Sequence, residues 1–146
     1  MERSWISRGV TAAALAGITL LSATPASAAS YWSSTAPVSA TSVGNLYEKT
    51  VTVANKKFTV QLRSGKWSSY TYIWARVPKN SGANGNHITL WVYNPSTKKW
   101  ESRWKSINNT TYTDAHRARS KYGYKACAKQ PGLGGSPAVC TSTWWV

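Results

Sequence analysis

Val51-Thr52-Val53-Ala54-Asn55-Lys56-Lys57-Phe58-Thr59-Val60-Gln61-Leu62-Arg63 decides the fold. Val51 and Val53 alternate with Thr50, Thr52 and Ala54, and Phe58, Val60 and Leu62 alternate with Thr59, Gln61 and Arg63. A period of two puts successive side chains on opposite faces of a strand, so the stretch reads as two half-buried strands joined at an Asn55-Lys56 turn. Downstream, Tyr70, Tyr72, Trp74 and Arg76 oppose Thr71, Ile73, Ala75 and Val77 until Pro78 ends the strand. A loop at 80–86 leads into Ile88, Leu90 and Val92 on one face, with Thr89, Trp91 and Tyr93 on the other.

After the Asn94-Pro95-Ser96-Thr97 turn, Trp100, Ser102 and Trp104 face one way and Glu101, Arg103 and Lys105 the other, with the charges expected on the wet side. Residues 108–113 are β-prone, 115–120 is where a helical turn is expected, and two last strands lie within 122–128 and 138–146. Seven or eight short strands between regular turn signals predict an all-β fold, an antiparallel sandwich or small barrel.

Residues 1–28 read as a secretory signal peptide. Arg3 and Arg8 precede an apolar run of about 14 residues, and Ala26-Ser27-Ala28 is a small-residue cleavage site. The run is too short to stay behind as a membrane span. The expected organisation is a leader at 1–28, an extended N-terminal arm at 29–44 and one β-sandwich domain at 45–146, secreted and compatible with cell-wall association. The arm is mostly small and polar; Tyr31, Trp32, Val38 and Val43 suit it to add a strand to a partner's sheet edge. Cys127 and Cys140 are the only cysteines, and an oxidising destination favours their pairing. The turn-rich 130–137 between them predicts a staple across two neighbouring antiparallel strands.

Catalytic options are few. The chain has 18 Lys and Arg against four acids, a net charge of +14. Beyond the leader the acids are Glu48, Glu101 and Asp114, and the histidines are His87 and His116. Glycoside hydrolysis usually needs two carboxylates flanking one bond, whereas Glu101 between Lys99 and Arg103 reads as half of a cross-strand ion pair. A ribonuclease-like site would need His87, Glu101 or His116 beside Arg117 and Arg119, and nothing in their spacing brings them together. Asp114 and His116 share a face only if their segment is extended. No Gly-x-Ser-x-Gly elbow and no metal-ligand spacing occurs. The expectation is a non-enzymatic protein with no catalytic residue, no metal and no cofactor.

Aromatic residues are the stronger lead: beyond the leader stand eight Trp and eight Tyr, of which one core buries some and leaves some indoles exposed. Tyr31, Trp32, Trp91, Trp100, Trp104, Trp144 and Trp145 are the expected contact residues, since exposed indoles anchor protein interfaces, stack on sugars, or stack on bases beside cations. Positive charge favours polyanions. The partner expected first is another secreted protein; a cell-wall or other polyanionic polymer also fits, and nucleic acid fits the charge without a motif to support it.

The leader, the turn-rich β pattern and the ending Val139-Cys140-Thr141-Ser142-Thr143-Trp144-Trp145 resemble small exported Trp-rich proteins of streptomycetes and related actinobacteria. Within that group the chain resembles the adapter subunit of secreted umbrella toxin particles. That resemblance implies a one-domain, non-catalytic β protein joining a lectin-bearing subunit to a toxin stalk. Streptomycete α-amylase inhibitors match less well: they carry two disulfides and a Trp-Arg-Tyr loop, where this chain has one cysteine pair and Trp74-Ala75-Arg76.

Overall fold

The structure, a computed structural model, describes residues 30–79, 82–132 and 138–146. The expected leader lies outside the described residues, as do part of the 80–86 loop and most of the turn between the cysteines. The chain runs β1 (Trp32–Ser33), α1 (Ala36–Ser39), β2 (Thr41–Val53), β3 (Lys56–Trp67), β4 (Tyr70–Val77), β5 (His87–Asn94), β6 (Lys99–Ser106), β7 (Thr111–Tyr112), β8 (Ala115–Arg117), β9 (Gly123–Lys129), β10 (Val139–Cys140) and β11 (Trp144–Trp145). Every pairing is antiparallel. The first sheet has the order β1-β8-β4-β3-β2, with β7 also on β4; the second has the order β10-β9-β5-β6, with β11 also on β9. The two face each other as a sandwich and do not close into a barrel.

The core is what the alternation predicts. Val51, Val53, Phe58, Val60, Leu62, Ile73, Ala75 and Val77 of the first sheet meet Ile88, Leu90, Val92, Tyr124, Ala126 and Ala128 of the second, all at most 3% exposed. Val53 pairs with Lys56, so the first hairpin turns at Ala54-Asn55, one residue earlier than expected, with φ of 50° and 60°. This left-handed pair matches the twist of the flanking strands.

Three expectations are corrected. The segment expected as an extended arm at 29–44 is folded onto the first sheet. Trp32 pairs with His116, the Ser33 hydroxyl accepts the Thr35 and Ala36 N–H groups, and α1 starts there with Pro37 in its first turn. Ala36 is fully buried with Tyr72, Trp74 and Ala115 in a second small core on the outer side of that sheet. Small residues are what make this fit: a Cβ on Gly65 would stand 2.9 Å from Ala40 Cβ and 3.0 Å from Trp74 Cη2.

The helical turn expected at 115–120 is instead strand β8. Thr113 donates its N–H to Ala75 O and receives the Ala75 N–H on its hydroxyl, holding the segment extended against β4.

On β6 the alternation is right and the sides are reversed. Trp100 and Trp104 pair with Tyr93 and Thr89 on the outer face, while Glu101, Arg103 and Lys105 lie opposite Val92, Leu90 and Ile88. β6 is an edge strand exposed along its whole length, so charges on its inner side reach water at the rim; inward-pointing charges also discourage edge-to-edge aggregation.

The Cys127–Cys140 disulfide joins directly paired positions of β9 and β10. With 13 residues of separation, the chain-entropy account assigns it about 3 kcal/mol. The Cys127→Ala/Cys140→Ala variant is expected to lose stability of that order in urea unfolding, and an unchanged midpoint refutes the assignment.

Candidate functional site

Strict alternation along β5, β6 and β9 assembles the outer face of the second sheet. Reading across the strands, Trp104, Thr89, Cys127 and Cys140 form one row, Ser102, Trp91 and Lys125 the next, and Trp100, Tyr93, Gly123 and Trp145 the third. Ser106, His87 and Lys129 complete the far end.

Neighbours hold these rings in place. The Trp104 indole stacks on the His87 imidazole at 4.2 Å between centroids and 17° between planes. Tyr93 lies 5.5 Å from Trp100 and 5.7 Å from Trp145, and Lys125 Nζ sits 4.4 Å above the Trp100 ring. Trp145 rests on Gly123, where a Cβ would come within 2.7 Å of the indole. Trp104 and Trp145 nevertheless remain 58% and 57% exposed. No carboxylate belongs to this face, because Glu101 points to the other side of β6. Between Trp104, Trp91 and the end of β9 lies a cavity of about 580 Å³, lined also by Thr89, Ser102, Lys129 and Gln130.

Of the seven expected contact residues, Trp91, Trp100, Trp104 and Trp145 meet on this face. Trp144 leaves it: it points to the opposite side of β11, 5.7 Å from the Tyr47 ring, and stays 37% exposed. Trp145 covers Gly123 from the outer face and stays 57% exposed, so neither indole of the pair enters the core. Tyr31 and Trp32 lie elsewhere, at the rim between the sheets. Sequence reasoning did not name Tyr93, His87, Lys125 and Lys129 as contact residues; Tyr93 and His87 follow from the period of β5, but Lys125 and Lys129 need the cross-strand register.

The rim around Tyr31 and Trp32 forms a second, smaller cavity lined by Asn94, Glu101, His116, Arg119 and Tyr122. It gathers an imidazole, a carboxylate and a guanidinium, the combination whose assembly the spacing left open. His87 is absent from it, and Asp114 instead pairs with Arg103 at 3.2 Å and Lys105 at 3.9 Å. Glu101 makes no ion pair among the described residues, contrary to its expected cross-strand partnership.

His116 is only 2% exposed and ringed by Tyr31, Trp32, Tyr122 and Tyr124 at 5.0–6.0 Å. The Tyr124 hydroxyl donates to Arg117 O and accepts from Arg119 N–H, and it lies 3.3 Å from His116 Nδ1. That hydroxyl has one proton and gives it to a carbonyl, so the neutral imidazole carries its own on Nδ1. Burial lowers the His116 pKa to about 4, with the Arg117 backbone acting against the shift and the Arg119 charge adding to it. Burial also pushes the Tyr124 phenol above its ordinary value. The imidazole is thus a neutral clasp between the sheets at ordinary pH, and the open part of the cavity belongs to Glu101 and Arg119. Among the described residues no group of His, Cys, Asp and Glu is placed to hold a metal ion.

No protein-family model, curated protein or solved structure matches this chain.

Two outcomes follow from this geometry. Because the folded His116 pKa lies near 4, below the unfolded value of 6.5, the unfolded chain binds the extra proton between them. Stability is therefore whole above pH 6.5 and falls towards pH 4, by an amount on the order of 3 kcal/mol. Urea midpoints across that range report it, and a His116→Gln variant is expected to lose most of the slope. Gly123→Ala is expected to lift the Trp145 ring off the sheet and change its fluorescence, with little loss of thermal midpoint because the displaced ring is a surface group.

Proposed function

We propose that this is a secreted, non-catalytic binding protein that joins another exported macromolecule through the outer face of its second sheet, in the manner of an adapter subunit. One observation carries the reading: Trp91, Tyr93, Trp100, Trp104 and Trp145 share one sheet face, all but Trp91 pack against a neighbouring ring or Gly123, and among the described residues no carboxylate stands with them. Interfaces draw most of their affinity from a few large rings that bury well. Rings already held in position lose little freedom on binding. Lys125 and Lys129, with no carboxylate beside them among the described residues, favour an acidic partner surface.

A second reading, carbohydrate or wall-polymer binding, draws support from the cavity beside Trp104. There two indoles meet Thr89, Ser102 and Gln130, a mixture of flat apolar rings and short polar groups suited to sugar rings.

Co-purification from culture supernatant separates the two. The parent is expected to bring down a protein partner, and Trp104→Ala/Trp145→Ala to lose it by at least about tenfold at unchanged thermal midpoint. Retention on chitin, cellulose or purified wall that depends on the same two indoles assigns the face to the second reading. A lone monomer that adheres to none of these overturns both.

A further inference from the structure

Four buried side-chain nitrogens among the described residues lack a hydrogen-bond partner, and three belong to one spot: Arg63 Nε, Trp74 Nε1 and Arg76 Nε. Arg63 on β3 is directly opposite Trp74 on β4, and Arg76 is the next residue of β4 on the same outer face of the first sheet. All three atoms are N–H donors, and neither side-chain type contains an acceptor. Arg63 makes no side-chain hydrogen bond or ion pair among the described residues. Arg76 has one bond, from Nη1 to Gln61 Oε1 at 2.9 Å, and lies 5.8 Å over the Tyr112 ring.

The two guanidiniums are also uncompensated. Burial first, and then the Arg76 charge, hold the Arg63 pKa below its ordinary value, against a smaller opposing effect of Tyr112. Among the described residues Glu48 is the one carboxylate on this face, and it pairs with neither arginine. Its Oε2 accepts instead from Gln61 Nε2 at 2.6 Å and Asn45 Nδ2 at 3.1 Å. An amide thus stands between the acid and Arg76. Two adjacent cations with surplus donors and no acceptor are the complement of a tetrahedral oxyanion. Each guanidinium offers a planar fork of N–H groups, and a tetrahedral oxyanion, whose oxygens point in several directions, can answer two such forks at once.

We propose that the outer face of the first sheet binds a phosphate or sulfate group between Arg63 and Arg76, with Trp74 as the floor of the site. This site is on the opposite side of the sandwich from the aromatic face and stands independently of the function proposed above. Its ligand chemistry has two sources, a free inorganic ion or the repeating phosphodiester of an anionic polymer.

Titration of the intact protein with inorganic phosphate, followed by calorimetry and by NMR of the Trp74 indole and arginine Nε–H signals, tests the proposal. Saturable one-to-one binding that moves those signals is expected. Arg63→Gln and Arg76→Gln should each weaken it by about tenfold or more. Glu48→Gln should strengthen it about two- to fivefold by removing the one nearby negative charge. Lys57→Gln, on the same strand outside the pair, should change it less than about twofold. Arg63→Gln should also keep or raise the thermal midpoint, because it relieves like-charge repulsion; an arginine needed for structure would lower it. A synthetic glycerol phosphate hexamer that binds more tightly than phosphate through the same arginines identifies the polymer as the source, and equal binding identifies the free ion. Non-saturating shifts, or equal losses in Lys57→Gln and Arg63→Gln, overturn the site.

Discussion

Positive charge without enough carboxylate to balance it is the constraint around which this molecule is built. With 18 cationic side chains and four acids, ion pairing cannot be the general answer. Among the described residues both ion pairs fall on Asp114. Rings take up much of the rest: Arg76 over Tyr112, Arg103 over Trp32, Arg117 over Tyr70 at 3.3 Å, Arg119 between Tyr31 and Tyr122, and Lys125 over Trp100. The negative face of an aromatic ring serves a guanidinium as a weak counter-charge that keeps its own apolar body packed. The aromatic excess therefore divides into two populations. One set holds cations at the sandwich rim, on the first sheet and, at Trp100, on the second; the other, Trp91, Trp104 and Trp145, has no cation above it among the described residues.

The same shortage shapes the joint between the sheets. Tyr124, fully buried, reaches from β9 to the backbone of Arg117 and Arg119 next to β8 and meets the His116 ring. A charged imidazole there would have Arg119 for company and no acid in contact, so neutrality is the state that fits. Arg103 closes the rim by lying 5.0 Å from the Trp32 ring while its guanidinium holds Asp114. One carboxylate thereby ties β6 of the second sheet to the segment leading into β8 of the first.

Much of this was legible in period-two patterning. The faces of β3, β4 and β5 were assigned correctly from Phe58, Val60, Leu62, Ile73, Ala75, Ile88, Leu90 and Val92, and the cysteine pair from its spacing and turn composition. The face of β6 was not, because Trp and Ser alternate there with charges and both sets look half-polar. Only its register with β5 shows that Trp100 and Trp104 continue the outer row of Tyr93 and Thr89. Residues 29–44 looked too small to bury anything, yet smallness is what lets Ala36 and Ala40 sit against Trp74 over Gly65. The hairpin at Ser68-Ser69, with φ of 48° and 66°, carries no glycine or asparagine to announce it. Tyr31 and Trp32 stand apart from the aromatic face because their surroundings come from distant chain segments, β8 and β6, which local spacing does not reveal.

The adapter role proposed above would require two partners to be held without competing, and a two-sheet sandwich would meet that demand in a specific way. Its outer faces are separated by a core about 10 Å thick and share no side chains. Here they also differ in chemistry: aromatic rings and lysines on the second sheet, and unpaired guanidinium donors around Trp74 on the first. Sites that share no contacts contribute nearly additive energies, so occupancy of one face leaves the affinity of the other unchanged. The clasp between the sheets is buried and neutral, so it offers no charged group through which a change at one face would move the other. Avidity in such a molecule comes from tethering two independent bonds rather than from any conformational coupling between them.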